Sequence, residues 1–127
     1  MKRVFDHIDL RVRNLPACEP FYRALLPLLG FTRQVEIPGW LQFMAEGAGA
    51  QPFFGVTEDL DRRPSKTRIA FWADSDATVD KLAAELKKIG ARNLEGPLFE
   101  SEGYYAVFFE DPSGNPLEIC HRLESSS

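Results

Sequence analysis

The side chains with the most chemical potential recur at every second residue in three short stretches: His7, Asp9 and Arg11; Arg68, Ala70 and Trp72; Glu118 and Cys120. A period of two is that of a β-strand, so each set shares one face of its strand and can be presented to a ligand together. Such faces suit a small, partly aromatic and anionic molecule: Arg11 and Arg68 supply guanidinium donors for its charge, and Trp72 supplies a flat surface for its ring. Tyr104 and Tyr105 open the penultimate strand and bring a hydroxyl to the mouth of a cleft, and Tyr105 is assigned to ligand binding. Cys120 follows Glu118 by two residues and so lines the same site. With no histidine or helix N-terminus evident to activate it, it reads as an inert thiol. By the same alternation His121 points away from Glu118 and is not recruited.

These faces need strands to carry them and helices to back them. Phe5 to Val12 alternates, with Ile8, Leu10 and Val12 opposite the polar set, and reads as the first strand. Asn14 is placed as an N-cap for a helix whose stripe is Phe21, Leu25, Leu28 and Leu29, closed by Gly30 and loosened near its end by Pro27. Phe31 to Ile37, Trp40 to Ala45 and Pro52 to Thr57 follow as three strands, separated by Pro38-Gly39 and Gly47-Ala48-Gly49. The order then repeats. Thr67 to Ala73 alternates, Asp74-Ser75-Asp76 caps a helix with the stripe Val79, Leu82, Ala83, Leu86 and Ile89, and Gly90 ends it. Ala91 to Glu95, Tyr104 to Glu110 and Pro116 to Arg122 complete the set, the last two joined by the turn Asp111-Pro112-Ser113-Gly114-Asn115. The expectation is an α+β fold of two βαβββ modules, about 1–60 and 65–123, in one domain over 1–127 with a polar tail at 124–127. Sheets curved with helices on their outer faces would enclose a cleft lined by the polar alternates.

Composition narrows the function. A chain of 127 residues has room for one ordinary domain, and ten Phe exceed what a core of this size needs, so that some can line a pocket. The net charge of −4 and the lack of a basic stripe with interleaved aromatics argue against nucleic acid. Cys18 and Cys120 form no CxxC pair and are expected as reduced thiols. The start of the chain passes into alternating sequence without a continuous apolar stretch, so neither a signal peptide nor a membrane helix is expected and the location is read as cytoplasmic. No GxSxG, P-loop or GxGxxG is present.

Several of these pieces, taken in order, resemble the vicinal oxygen chelate superfamily, which includes glyoxalase I, fosfomycin-modifying thiol transferases, extradiol dioxygenases and bleomycin-binding proteins. They are Phe5-Asp6-His7-Ile8, Phe21-Tyr22 before Leu29-Gly30-Phe31, the start of the second half, and the run from Phe109 through Asp111-Pro112-Ser113-Gly114-Asn115 to Leu117-Glu118. The resemblance implies the cleft fold, a homodimer, a small-molecule ligand or substrate, and a divalent metal such as Zn, Ni, Mn or Fe held by His7 and Glu118, with Glu118 as the catalytic carboxylate. The family's third ligand falls at Arg68, which has no lone pair to offer, and a fourth position within Phe53-Phe54-Gly55-Val56 holds no ligand at all. Three readings stay open. Arg68 replaces the ion, pairs with Glu118 and leaves donors for an anionic ligand; or a metal still binds and serves a lyase, isomerase, transferase or dioxygenase; or His7 is a satisfied strand histidine and Glu118 has no role.

Overall fold

The structure, a computed structural model, describes residues 3–63 and 65–123, so the expected tail at 124–127 lies outside the described residues. The chain divides into two compact units, Met1–Arg63 and Pro64–Ser127. Each unit runs strand, helix, three strands.

In the first unit the order is β1 (His7–Val12), α1 (Leu15–Leu28), β2 (Arg33–Ile37), β3 (Trp40–Met44) and β4 (Phe53–Glu58). They form a four-stranded mixed sheet in the spatial order β1-β4-β3-β2, with β1 parallel to β4 and the other neighbours antiparallel. Asn14 caps α1 as its side chain predicts, accepting a hydrogen bond from the Ala17 amide at 3.1 Å. Pro27 lies inside the helix, and the bonds after it shift to the tighter three-residue pattern, Leu29 N–H to the Leu26 carbonyl at 3.1 Å and Gly30 N–H to the Pro27 carbonyl at 3.2 Å. α1 packs on β3 and β4. Phe21, Tyr22, Leu25 and Leu26 on the helix and Val12, Leu41, Phe43, Phe54 and Val56 on the sheet are buried there. Burying each large apolar side chain stabilises the fold by about 1.5–3 kcal/mol.

The second unit holds β5 (Ile69–Trp72), α2 (Asp76–Ile89), β6 (Arg92–Ser101), β7 (Tyr104–Glu110) and β8 (Pro116–Arg122), in the spatial order β5-β8-β7-β6. Ser75 caps α2 by accepting from the Thr78 amide at 3.0 Å, and Gly90 ends it in the left-handed conformation at φ 92°. α2 packs against β6, β7 and β8. The residues buried there, Val107, Phe109, Leu117 and Ile119, all belong to the strand faces that alternate away from Glu118.

The observed β6 is longer than the expected Ala91 to Glu95, because the chain runs on through Gly96 and Pro97. An edge strand tolerates a proline, whose missing N–H would face outward, and the register shifts along β6 absorb the irregularity.

Candidate functional site

The turn between β7 and β8 sets the position of everything near Glu118. Asp111 is fully buried, and its Oδ1 accepts from the Ser113 amide at 2.8 Å and the Asn115 amide at 2.9 Å, while Oδ2 accepts from the Asn115 side-chain amide at 2.8 Å. Gly114 takes φ 88°, a conformation that side chains disfavour. This carboxylate therefore works as a structural clamp: it fixes the loop, and the loop fixes the pairing of β7 with β8, in which Phe108 faces Glu118 and Tyr104 faces Arg122. On the other side of β8 the parallel partner of Glu118 is Ala70.

Glu118 is only 4% exposed on the sheet face that α2 leaves uncovered. Its Oε2 accepts the Tyr104 hydroxyl, and Cys120 lines a cavity with it, two residues along β8. Burial first, and then the bond to Glu118 and its negative charge, push Tyr104 up to about 12. Burial likewise pushes the Cys120 thiol up, with Glu118 adding to the shift and Arg122 opposing it. Both groups thus stay protonated at neutral pH, and the Tyr104 hydroxyl donates to the carboxylate. Next to them opens a cavity of about 490 Å³ lined by Ala70, Trp72, Tyr104, Glu118, Cys120 and Arg122.

Of the residues expected in a ligand site, this cavity gathers Trp72, Glu118 and Cys120. It adds Arg122, which the sequence reading did not place there, and of the two tyrosines read at the cleft mouth it takes Tyr104, which was not assigned to ligand binding. The signal was available: a five-residue loop between Glu110 and Pro116 fixes the hairpin register, and counting back from Glu118 puts Tyr104, not Tyr105, on its face. Tyr105, the tyrosine assigned to ligand binding, stands on the other face of β7. Its hydroxyl bonds to Asp80 of α2 at 2.5 Å, on the opposite side of the sheet, and that bond raises its pKa.

Arg68 stands one residue before β5 begins, and its guanidinium lies over the Phe108 ring, 4.7 Å from the centroid. The cation–π contact takes the place of the expected pairing with Glu118. Arg11 is engaged within the first unit: its Nε and Nη2 donate to Asp9 at 3.1 and 2.9 Å, and Asp59 lies 3.9 Å away.

His7 opens β1 with its ring stacked on Phe53 at 4.4 Å and its Nδ1 2.8 Å from Asp6 Oδ2. A hollow of about 610 Å³ lies beside it against Phe5, Phe31, Pro52 and Phe53, but the polar groups there are already committed. Asp6 is bonded to His7, and Arg3 is held by the Ala50 carbonyl at 2.7 Å. The uncovered face of the first sheet is filled. Trp40 lies across Gly55, where a Cβ would come within 2.6 Å of the indole Nε1, and that nitrogen is buried without a hydrogen-bond partner.

The donor set does not fit the divalent metal that the resemblance implies. Glu118 already accepts the Tyr104 hydroxyl, Arg68 has no lone pair, and among the described residues no three His, Cys, Asp or Glu side chains converge.

Comparison with known proteins places this architecture. A protein of Bacillus subtilis (strain 168), YqjT, itself described as uncharacterised, is 28% identical over 123 residues, spanning 89% of this chain and 94% of its own. The crystal structure of a glyoxalase/bleomycin resistance protein from Albidiferax ferrireducens T118 superposes with a TM-score of 0.75 at 25% identity, over 95% of this chain and 100% of that one. The fold is shared also by the fosfomycin resistance protein FosX from Mesorhizobium loti, with a TM-score of 0.69 at 18% identity, over 97% and 94% of the two chains. The family model described as Glyoxalase/Bleomycin resistance protein/Dioxygenase superfamily matches residues 4–119. The chain belongs to that superfamily.

Proposed function

We propose that the protein binds a small, partly aromatic anion on the uncovered face of its second sheet. The observation that carries this reading is the cavity of about 490 Å³ in which Trp72 and Arg122 stand beside a buried, internally satisfied Glu118. Trp72 is 59% exposed, an unusual state for so large an apolar side chain unless something stacks on it. Arg122 is exposed and forms no ion pair among the described residues, so its donors remain for an anion. Arg68, over Phe108 on the same face, adds positive charge nearby. Glu118 holds Tyr104 in place and keeps the cavity wall polar.

Thermal-shift screening with aromatic carboxylates tests this directly, because a ligand at a hundredfold excess over its Kd adds about 2.7 kcal/mol of stability. Shifts are expected without added metal and should be lost in Arg122→Ala and Trp72→Ala. Shifts seen only with Zn, Ni, Mn or Fe would replace this reading by a metal-dependent lyase, isomerase, transferase or dioxygenase in which His7 and Glu118 bind the ion. A homodimer is proposed on the same footing and is checked by light scattering. Among the described residues no helix is long and apolar enough to cross a membrane; a cytoplasmic location is proposed.

A further inference from the structure

Glu118 and Arg122 line one cavity yet leave each other unpaired. Glu118 is nine-tenths buried and receives a neutral donor, the Tyr104 hydroxyl, with no cation within ion-pair distance among the described residues. A buried carboxylate compensated only by neutral groups is left with an unmet preference for a positive charge. Arg122 has the complementary need. It stands four residues further along β8, on the same face, so the two Cα atoms are roughly 13 Å apart. Each side chain closes part of that span, and two hydrogen bonds of about 2.9 Å can bridge what remains through one small molecule.

We propose that the ligand of this cavity is a zwitterion, an amino acid or a close analogue, whose ammonium meets Glu118 and whose carboxylate meets Arg122, with an apolar ring against Trp72. This rests on the reading that the cavity binds an anion and adds the second, opposite charge. A simple anion satisfies Arg122 but sets a negative group beside Glu118. A simple amine satisfies Glu118 but faces Arg122. A hydroxy acid gives Glu118 another neutral donor, whereas an ammonium gives it a charge-assisted bond about twice as strong.

Four compounds on one skeleton separate these cases: phenylalanine, 3-phenylpropanoate, 3-phenyllactate and phenethylamine, titrated calorimetrically into the full chain at neutral pH. Phenylalanine should bind about tenfold more tightly than each of the other three, as expected for an added charge-assisted bond. Glu118→Gln should abolish its advantage over 3-phenylpropanoate without weakening 3-phenylpropanoate itself, and Arg122→Gln should weaken both. Equal or tighter binding of 3-phenylpropanoate or 3-phenyllactate overturns the zwitterion and leaves the anion reading standing. Equal or tighter binding of phenethylamine, or no binding of any of the four, overturns both. The wild-type comparison decides the matter even where a variant fails to fold.

Discussion

The two units repeat one chain order, strand, helix and three strands, yet their uncovered sheet faces have opposite fates. In the first, Trp40 lies down over Gly55, and Asp9 is tied to Arg11 and to the Thr57 hydroxyl at 2.7 Å, so the face closes on itself. In the second, β7, which takes the place that β3 has in the first, brings no tryptophan onto this face. Ala70 and Phe108 flank Glu118, and a cavity remains. A repeated backbone thus sets where side chains stand, and a few side-chain sizes decide which copy keeps a site.

The largest expected effect strikes the support of the open face. Asp111→Ala removes a buried acceptor of three hydrogen bonds and strands the Ser113 and Asn115 amides, so urea unfolding should show a loss of about 2–4 kcal/mol. Ligand binding at the cavity should fall with it, since the loop sets the β7–β8 register. No change in stability would mean that the turn holds without its clamp.

Gly55→Ala attacks the closed face. The added methyl meets the Trp40 indole at 2.6 Å, and displacing the ring should cost about 1–3 kcal/mol, while the second unit's cavity keeps its ligand. A variant as stable as the parent would show that Trp40 has another place to go.

The subtlest contrast is between adjacent tyrosines on opposite sides of one strand. Tyr104→Phe removes a hydrogen bond to Glu118, at a cost of about 1 kcal/mol near neutral pH. Because the folded-state pKa of Tyr104 lies above its ordinary 10.0, at about 12, its contribution is complete below pH 10 and declines as pH climbs towards 12. The stability difference between parent and Tyr104→Phe should therefore be flat up to about pH 10 and shrink above it. Tyr105→Phe should shift neutral-pH stability by less than about 0.5 kcal/mol and leave ligand binding untouched, because its bond to Asp80 is exposed. A ligand effect from Tyr105→Phe would reverse the assignment of the two faces.

Much of the fold was written in local signals. Asn14 and Ser75 cap their helices, Gly90 ends the second, and β7 and β8 begin and end where the alternation does, because caps, turns and strand periods act over a few residues. β6 was truncated in the reading because Gly96 and Pro97 are breakers in isolation, whereas an edge strand has room for them. The site was less legible. Alternation placed Trp72, Glu118 and Cys120 on the open face, but the pairing of Arg68 with Glu118 was inferred from its charge and from its standing at the position of a family metal ligand. A guanidinium just outside the strand found the Phe108 ring first, and a phenol satisfied the carboxylate in its place. Partner choice among side chains depends on distances of a few ångström, which no spacing in a sequence reports.

The chain's two tryptophans are divided between the units, and their surroundings could hardly differ more: Trp40 has its nitrogen sealed over Gly55, and Trp72 is 59% exposed at the cavity. Each half consequently carries its own optical label. A soluble quencher reaches the exposed Trp72 more readily than the half-buried Trp40, so quenching weighs the second unit more heavily than the first. An unfolding curve followed by both tryptophans would show, without any added dye, which half lets go first.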